Sequence, residues 1–261
     1  MRVGFLSLNT SDSVAPGLLG RALEDRGYES LWIGEHPHLP LLAAALATEG
    51  LLVATGITLL LELLERSLFA QAKQPATLDL LSGGRLICGV GAGWSEHEFR
   101  NSTALPWERR YEALGEYIRA MRIIWTSEEP AFAGEFFGFD RVWSYPKPRQ
   151  PTGPPILVGG GGSRAMLLAA MVGDGWCPLM PPAGLIRSRI DTFRSACDRL
   201  GRDPDTIQVT FVAARDDPGV LDAAREAGAH RVVLGIEPTQ WNYDSVMPYL
   251  DRCARYVSDL A

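Results

Sequence analysis

Short apolar runs alternate with amphipathic stretches along the whole chain. Eight of the runs predict strands, at residues 3–8, 30–34, 52–58, 85–89, 156–159, 175–177, 207–213 and 231–235. Each is followed by a stretch that predicts a helix, with starts near Pro16, Leu41, Ser67, Pro106, Ser163, Pro182, Val220 and Ser245. The chain therefore predicts a regular β/α repeat from end to end.

The helix expected from Pro106 has the clearest pattern. Proline suits a first helical turn, and charged residues fill the positions between the apolar ones. The apolar residues recur at helical spacing: Leu114, Tyr117, Ile118, Met121, Ile124 and Trp125. A similar pattern follows Pro182, and Gly201 stands where that helix is expected to end.

Eight such units in 261 residues favour one α/β domain over residues 1–261, a closed (β/α)8 TIM barrel with short strand-to-helix loops. An open, doubly wound parallel sheet is the alternative. Residues 131–155 break the repeat. They join a helix to the next strand, so we expect them on the amino-terminal face, with Phe136, Phe137, Phe139 and Trp143 in packing or a subunit contact.

Composition narrows the class of protein. The net charge is −6 and the basic residues are scattered, which argues against nucleic acid or an anionic membrane as the main partner. The amino terminus lacks a signal-like apolar stretch, and the uncharged run at 50–61 is too short to span a bilayer. We expect a cytoplasmic protein, with its four separated cysteines reduced and buried and without a metal site.

The unusual segments all fall where a predicted strand meets a helix, which is the functional face of such a barrel. Glu35 and His36 follow the second strand, and LLLELLERS follows the third. A glycine-rich run ending at Trp94 follows the fourth, and four glycines followed by Ser163 come after the fifth. We therefore expect the chemistry at the carboxyl ends of the strands.

Both glycine runs allow two interpretations. Gly160, Gly161 and Gly162 let backbone amides approach an anion, and Ser163 can cap the following helix, which together make a phosphate site. The alternative is a tight turn that requires glycine. The run at residues 89–93 leaves room for a planar ring or a phosphate. The alternative is close packing where the strand leaves the barrel. Its GxGxG pattern is weak evidence for a dinucleotide-binding site.

Histidine supplies the candidate proton donor. His36 follows a strand directly, and an imidazole is tunable near neutral pH. The alternative is a histidine that only satisfies a local carbonyl. His38, His97 and His230 have weaker cases, and His230 is expected on the surface before the last strand.

Several segments, taken in order, resemble the luciferase-like oxidoreductase superfamily. They are GYESLWIGEH, LLVATGI, AKQPATLDLLSGGRLICGVGAGW, the EFFGF and YPKPRQ stretch, PPILVGGGGSRA and GDGW. The resemblance covers nearly the whole chain. The branch it most resembles uses the deazaflavin coenzyme F420, and relatives use flavin mononucleotide (FMN).

The resemblance implies hydride transfer between F420 and a small organic substrate, in a homodimer. An FMN-dependent monooxygenase and a non-catalytic flavin-binding barrel are the alternatives. By motif position, Glu35 and His36 lie beside the ring, Ala92 and Gly93 contribute backbone contacts in the cofactor cleft, and Gly160 to Ser163 form the phosphate-side loop.

The chain departs from the family pattern at three places. The loop after Glu35-His36 is short. After the third strand, LLLELLERS replaces a turn that tends to contain proline and often a non-prolyl cis peptide. Trp94 stands where some relatives carry an acidic catalytic residue.

Overall fold

Parallel strands form a closed barrel in the computed structural model, which describes residues 1–8, 10–34, 37–64, 67–236 and 240–260. The strands of this described part are β1 (Arg2–Ser7), β2 (Ser30–Ile33), β3 (Leu52–Thr55), β4 (Thr58–Leu59), β5 (Leu86–Gly91), β6 (Phe132–Ala133), β7 (Gly138–Phe139), β8 (Ile156–Gly159), β9 (Gly175–Cys177), β10 (Gln208–Ala214) and β11 (Arg231–Leu234). Eight of them pair in the order β3-β2-β1-β11-β10-β9-β8-β5, and β5 pairs back with β3. The closed barrel is confirmed, and the open sheet is excluded.

Helices follow the barrel strands and cover them. They are α1 (Pro16–Glu24), α2 (His38–Leu46), α3 (Leu60–Leu64), α4 (Leu68–Leu81), α5 (Glu96–Ser102), α6 (Arg110–Thr126), α7 (Ser163–Val172), α8 (Ala183–Arg199), α9 (Pro218–Glu226) and α10 (Tyr243–Leu260). Their starts agree with the sequence pattern to within a few residues, except that α3 and α5 were not predicted.

Local sequence fixes where the helices begin. Ser67 Oγ accepts a hydrogen bond from the Ala70 amide at 3.2 Å and so caps α4. An Asp217 carboxylate oxygen caps α9 in the same way, accepting from the Gly219 amide at 2.9 Å. Because α4 follows β4 and the short α3, and α9 follows β10 directly, the amino termini of both helices lie at the carboxyl-end face of the barrel.

Two apolar layers stabilise the barrel. The interior holds Trp32, Ala54, Ile87, Leu157, Cys177, Val212 and Val233. The larger layer lies between the strands and the helices and includes Phe5, Leu31, Val53, Val158 and Phe211. Strands buried on both sides need apolar residues at nearly every position, which explains their continuous apolar runs.

The four cysteines are free thiols in this apolar surrounding: Cys88, Cys177, Cys197 and Cys253 are all buried. Burial raises the pKa of the Cys177 thiol to about 12. These thiols are therefore protonated at neutral pH, and their burial agrees with the prediction from the sequence.

The segment at residues 131–155 does not stay on the amino-terminal face. Its β6–β7 hairpin runs back along α6, and Glu135 at the tip pairs with Arg109, which directly precedes α6, at 2.6 Å. The Phe139 ring lies 5.1 Å from that of Phe69, in the first turn of α4. Both contacts lie towards the carboxyl-end face, so the predicted location is wrong for this hairpin.

The hairpin is attached by a buried carboxylate. Glu116 accepts hydrogen bonds from the amides of Glu135, Phe136 and Phe137 at 2.6–2.8 Å. Phe137 also packs edge-on against Tyr117, with ring centres 5.9 Å apart. The prediction that these aromatic residues serve packing is confirmed for Phe137 and Phe139, whereas Trp143 is 84% exposed.

Candidate active site at the carboxyl ends of the strands

The register of three neighbouring strands brings the two glycine runs together. Val90 of β5 pairs with Val158 of β8, and Gly159 pairs with Cys177 of β9. The residues that follow β5 and β8 therefore leave the barrel side by side. Ala92 and Gly93 lie on one side of this junction, and Gly160 to Ser163 form the adjacent loop.

This glycine loop, Gly160 to Ser163, is exposed and held at its base. Gly160 has φ +113°, a conformation that L side chains rarely adopt. The Trp176 indole donates a hydrogen bond to the Gly160 carbonyl at 2.8 Å. The loop therefore has a defined backbone path although its residues carry almost no side chain.

Ser163 does not cap α7, so that prediction is wrong. Gly162 occupies the cap position in an extended conformation, without a side-chain hydrogen bond, and Ser163 is the first helical residue. Its amide is one of the first-turn donors that lack a partner within the helix. These donors and the positive end of the helix favour a negatively charged group at the loop.

The middle of the glycine loop, at Gly161 and Gly162, borders open space. A Cβ atom placed on Gly161 would come nearest to Arg189 Nη1, at 3.8 Å. A Cβ on Gly162 would meet no described atom within 4 Å. Crowding therefore does not explain glycine at these two positions, whereas Gly160 is explained by its turn. The space favours the phosphate interpretation for Gly161 and Gly162.

Two arginines add positive charge beside the loop. Arg189, in the second turn of α8, donates a guanidinium hydrogen bond to the Gly161 carbonyl. Arg164, in the first turn of α7, lies within 3.4 Å of the Glu108 carbonyl. Neither residue was singled out from the sequence. The sequence signal that could have located Arg189 is a basic residue near the start of the next helix, α8. Neighbouring β/α units place the starts of their helices side by side, so such a residue lies close to the loop before α7.

Other glycines at this end make room for protein atoms. A Cβ on Gly89 would collide with the Thr55 carbonyl oxygen, and one on Gly159 would collide with Ile57 Cδ1. A Cβ on Gly91 would lie 3.4 Å from Ile57 Cγ2, which is an ordinary contact. The close-packing interpretation therefore holds for Gly89 and Gly159, and Ile57 forms an apolar floor where the barrel interior ends.

The turn that carries Ile57 contains a cis peptide bond between Gly56 and Ile57. A non-prolyl cis peptide therefore follows β3 just before the LLLELLERS segment, so the expected departure from the family pattern holds for the missing proline and is wrong for the cis peptide. Ala92 is buried, and Gly93, with φ +90°, turns the chain out of β5. The predicted cleft residues Ala92 and Gly93 thus lie beside the same apolar floor.

The predicted pair Glu35 and His36 lies outside the described residues. The flanking Gly34 is described, and its amide donates to the Ser7 carbonyl at 3.3 Å, so β2 leads to the same face as β1. His38 begins α2 and shares a narrow cavity with Thr58 and Gln71.

The other two histidines have ordinary surroundings. His97 is exposed on α5. His230 precedes β11 at the opposite end of the barrel, where its Nδ1 accepts from the Val209 amide at 3.0 Å. Burial lowers the pKa of His230, and the nearby arginines add to this effect. His230 is half-buried rather than a plain surface residue, and it is remote from the glycine loop.

A cavity of about 560 Å³ lies at that amino-terminal end as well. Its charged lining residues already pair with each other, because Glu29 binds Arg231 through two contacts of 2.6 Å and Arg2 at 3.3 Å. Enzymes built on this barrel carry their chemistry at the other end. The cavity is therefore interpreted as a structural feature.

Comparison with known proteins identifies the family. The model of the luciferase-like monooxygenases matches residues 17–247. The chain therefore belongs to the luciferase-like monooxygenase family, and it is an oxidoreductase.

Individual relatives differ in cofactor. An uncharacterised protein of Mycobacterium tuberculosis is 29% identical, over 97% of this chain and 98% of its own. The F420-dependent hydroxymycolic acid dehydrogenase of that species is 28% identical, over 82% of this chain and 62% of its own. The FMNH2-dependent dimethylsulfone monooxygenase of Pseudomonas putida is 34% identical, over 56% of this chain and 40% of its own.

Solved structures share the whole fold. An F420-dependent secondary alcohol dehydrogenase, solved with an F420–acetone adduct, superposes with a TM-score of 0.82 at 18% identity, over 100% of this chain and 99% of its own. The coenzyme F420-dependent tetrahydromethanopterin reductase of Methanopyrus kandleri gives 0.81 at 17% identity, over 99% of both chains. At these identities the likeness establishes the barrel.

Neither a cluster of side chains that could hold a metal ion nor a helix that could span a membrane is found in the part of the chain that is described. Within the described ranges, no group of three or more His, Cys, Asp or Glu side chains is placed to hold a metal ion. None of the helices described is both long and apolar enough to cross a membrane.

Proposed function

We propose that this protein transfers a hydride between coenzyme F420 and a small organic substrate at the carboxyl ends of its strands. The observation that carries the proposal is the exposed glycine loop, which combines helix-end amides and Arg189 beside the apolar floor at Ile57. The F420-dependent relative, matched over 82% of this chain, supports the choice of cofactor.

The residues present fit such a cofactor. F420 carries a phosphate that is separated from a planar ring by a flexible chain. The amides of Gly161, Gly162 and Ser163, with Arg189, would hold the phosphate. Ala92, Gly93 and Ile57 offer the apolar surroundings that a ring needs, and Glu35 is placed beside it by the family resemblance. When bound, the cofactor supplies the hydride donor or acceptor.

The proposed reaction also requires a proton donor. Hydride addition to a carbonyl carbon breaks the C=O π bond and leaves a negative oxygen, which must take up a proton. We propose that His36 delivers this proton, because it comes shortly after the end of β2 in the sequence and the family resemblance implies that it lies beside the ring. An apolar floor favours the reaction further, because it keeps water from the reacting atoms.

The second candidate function is an FMN-dependent monooxygenase. It is favoured by the 34% identity to the dimethylsulfone monooxygenase, which is confined to 56% of this chain. FMN also carries a phosphate, so the glycine loop alone does not separate the two cofactors. A barrel that binds a flavin without turnover is the non-catalytic alternative. By resemblance to the family, we further propose a homodimer that works in the cytoplasm.

Cofactor titration tests the proposal. Purified protein is titrated separately with F420 and with FMN, and binding is followed by absorbance and fluorescence. The reduced form of the bound cofactor is then tested for oxidation by ketones and activated alkenes. We expect tighter binding of F420 and substrate-dependent oxidation. Binding of FMN alone favours the monooxygenase, binding without turnover favours the passive barrel, and binding of neither overturns the cofactor site.

A further inference from the structure

An exposed indole stands beside the candidate active site. Trp94 is 80% exposed and follows Gly93, where the chain leaves β5. The neighbouring strand β8 leads into the glycine loop, and β9, on the other side of β8, leads to Leu179, which is 71% exposed. The strand order therefore places two exposed large apolar residues on opposite sides of the loop along the rim of the barrel.

The chain around Trp94 is held by its neighbours. Gly93 turns it with φ +90°, and Ser95 caps α5 directly afterwards. The buried Phe99 anchors this short helix, because its ring packs edge-on against Trp107 at 5.4 Å between ring centres. The indole is thus presented to solvent from a well-supported turn rather than from a loose loop.

An exposed indole on a well-supported backbone binds a planar apolar ligand most favourably. Contact removes both apolar surfaces from water, and aromatic pairs gain further from stacked or edge-on geometry. An indole has no group that titrates near neutral pH, so Trp94 contributes recognition rather than proton transfer. The position beside the phosphate loop places such a ligand at the mouth of the cofactor site.

We propose that Trp94 is a specificity-determining residue that selects substrates with an aromatic or other planar apolar group next to the reacting carbon. Leu179 provides the opposite apolar wall. This inference rests on the proposed function, since it assumes that the reacting group lies at the apolar floor formed by Ile57. A second copy of the chain covering Trp94 is the competing occupant.

The test compares Trp94→Ala and Trp94→Phe with Trp143→Ala. Trp143 is a matched control, because it is 84% exposed but lies in the 131–155 segment, where its ring contacts that of Tyr145. Acetophenone and acetone serve as probes, since they share the carbonyl and differ in the apolar group. Binding is measured by saturation-transfer NMR with and without F420, and turnover is measured with reduced F420.

We expect NMR contact between acetophenone and the wild-type protein that is lost in Trp94→Ala and kept in Trp94→Phe and Trp143→Ala. In turnover, the KM for acetophenone should rise about tenfold in Trp94→Ala while kcat changes by less than about twofold, and acetone should be little affected. The NMR measurement without F420 needs no cofactor, so it decides about Trp94 even where the proposed function fails.

Three results would overturn the inference. The first is the absence of acetophenone contact in the wild-type protein. The second is an equal effect of Trp94→Ala and Trp143→Ala. The third is a change in the oligomeric mass of Trp94→Ala, measured by light scattering, while acetophenone binding stays the same. That result would show that Trp94 is a contact between copies of the chain.

Discussion

Glycines at the end of β5 and β8 have two different roles. Gly89 and Gly159 make room for the Thr55 carbonyl and the Ile57 side chain, so a larger residue there would disturb packing. Gly161 and Gly162 face open space, so a larger residue there would fill the volume available to a ligand. Glycine thus permits close packing at the ends of β5 and β8, and in the loop that follows β8 it leaves space for a ligand.

The first prediction concerns His36. Because a positioned general acid typically contributes ~10²–10⁴-fold in rate, His36→Asn should lose turnover to that extent. Cofactor affinity should fall only modestly, and the thermal midpoint should stay close to that of the wild type. His97→Asn is the control, since His97 is exposed on α5 at the same face. If turnover survives while the thermal midpoint falls, His36 is structural and another group supplies the proton.

Individual residues of the site differed in how far the sequence could locate them. The glycine loop was visible because four consecutive glycines at a strand-to-helix junction indicate either a tight turn or a backbone that approaches a ligand. Arg189 was not, because its contact with Gly161 joins positions 28 residues apart and depends on how two helices pack. Ser163 was misassigned, because a serine one position inside a helix looks in sequence like a serine cap.

At the scale of elements, a buried carboxylate on α6 binds the tip of the β6–β7 hairpin. Glu116 is only 6% exposed and accepts three amide hydrogen bonds from the hairpin tip. A Cβ on Gly134 would collide with this carboxylate, which explains the glycine there. The hairpin in turn covers the first turns of α4 and α6 through Phe139 and Glu135.

We therefore predict that Glu116→Ala destabilises the protein by about 1–3 kcal/mol, because it leaves hairpin amides without their acceptor. Urea unfolding measures the change, and limited proteolysis should show faster cleavage within 131–140. Glu112→Ala is the control on the same helix, since the Glu112 side chain is 60% exposed and pairs with Arg109 at the surface. Equal losses in the two variants would show that the buried contacts do not hold the hairpin.

The regular β/α repeat was predictable, and the irregular elements were not. The α6 pattern was readable because its apolar residues repeat over several turns, whereas α5 buries only Phe99. The strands β6 and β7 have two residues each, too few for a periodic signal. The upward path of the hairpin depends on Glu116, a charged residue that the periodic pattern assigns to an exposed position.

At the scale of the whole molecule, an ion pair closes the amino-terminal end of the barrel. The Arg231 side chain is 2% exposed and binds Glu29, 202 residues away, through both carboxylate oxygens at 2.6 Å. Burial raises the pKa of the Glu29 carboxyl, but the hydrogen bonds and charge of Arg231 outweigh it and hold the pKa below its usual value. Glu29 directly precedes β2 and Arg231 begins β11, so the pair spans β1 and links the two strands on either side of it at this end of the barrel.

We predict that Glu29→Gln costs about 3 kcal/mol at neutral pH, because it leaves a buried guanidinium without its counter-charge. A depressed carboxyl pKa stabilises the folded state above the unfolded pKa of 4.5, and this contribution is lost as the pH falls through the lower folded value. The gap between wild type and variant, measured by urea unfolding, should therefore be widest at neutral pH and narrow below pH 4.5.

Arg2→Gln is the control for this pair. Arg2 contacts the same carboxylate, but its side chain is 64% exposed, so a much smaller change is expected. A gap that is independent of pH would contradict the assignment of the stabilisation to the Glu29 charge.

The central claim is that an anionic part of the cofactor binds the glycine loop, and F420 affinity of Gly161→Val tests it most directly. A Cβ atom at this position would have Arg189 Nη1 as its nearest neighbour, at 3.8 Å, so the variant should fold. Gly184→Val is the control, since Gly184 also lies in open space, in the first turn of α8. Fluorescence titration should show at least about tenfold weaker binding in Gly161→Val and wild-type binding in Gly184→Val. Unchanged affinity in a folded Gly161→Val protein would contradict the claim and reduce the loop to a structural turn.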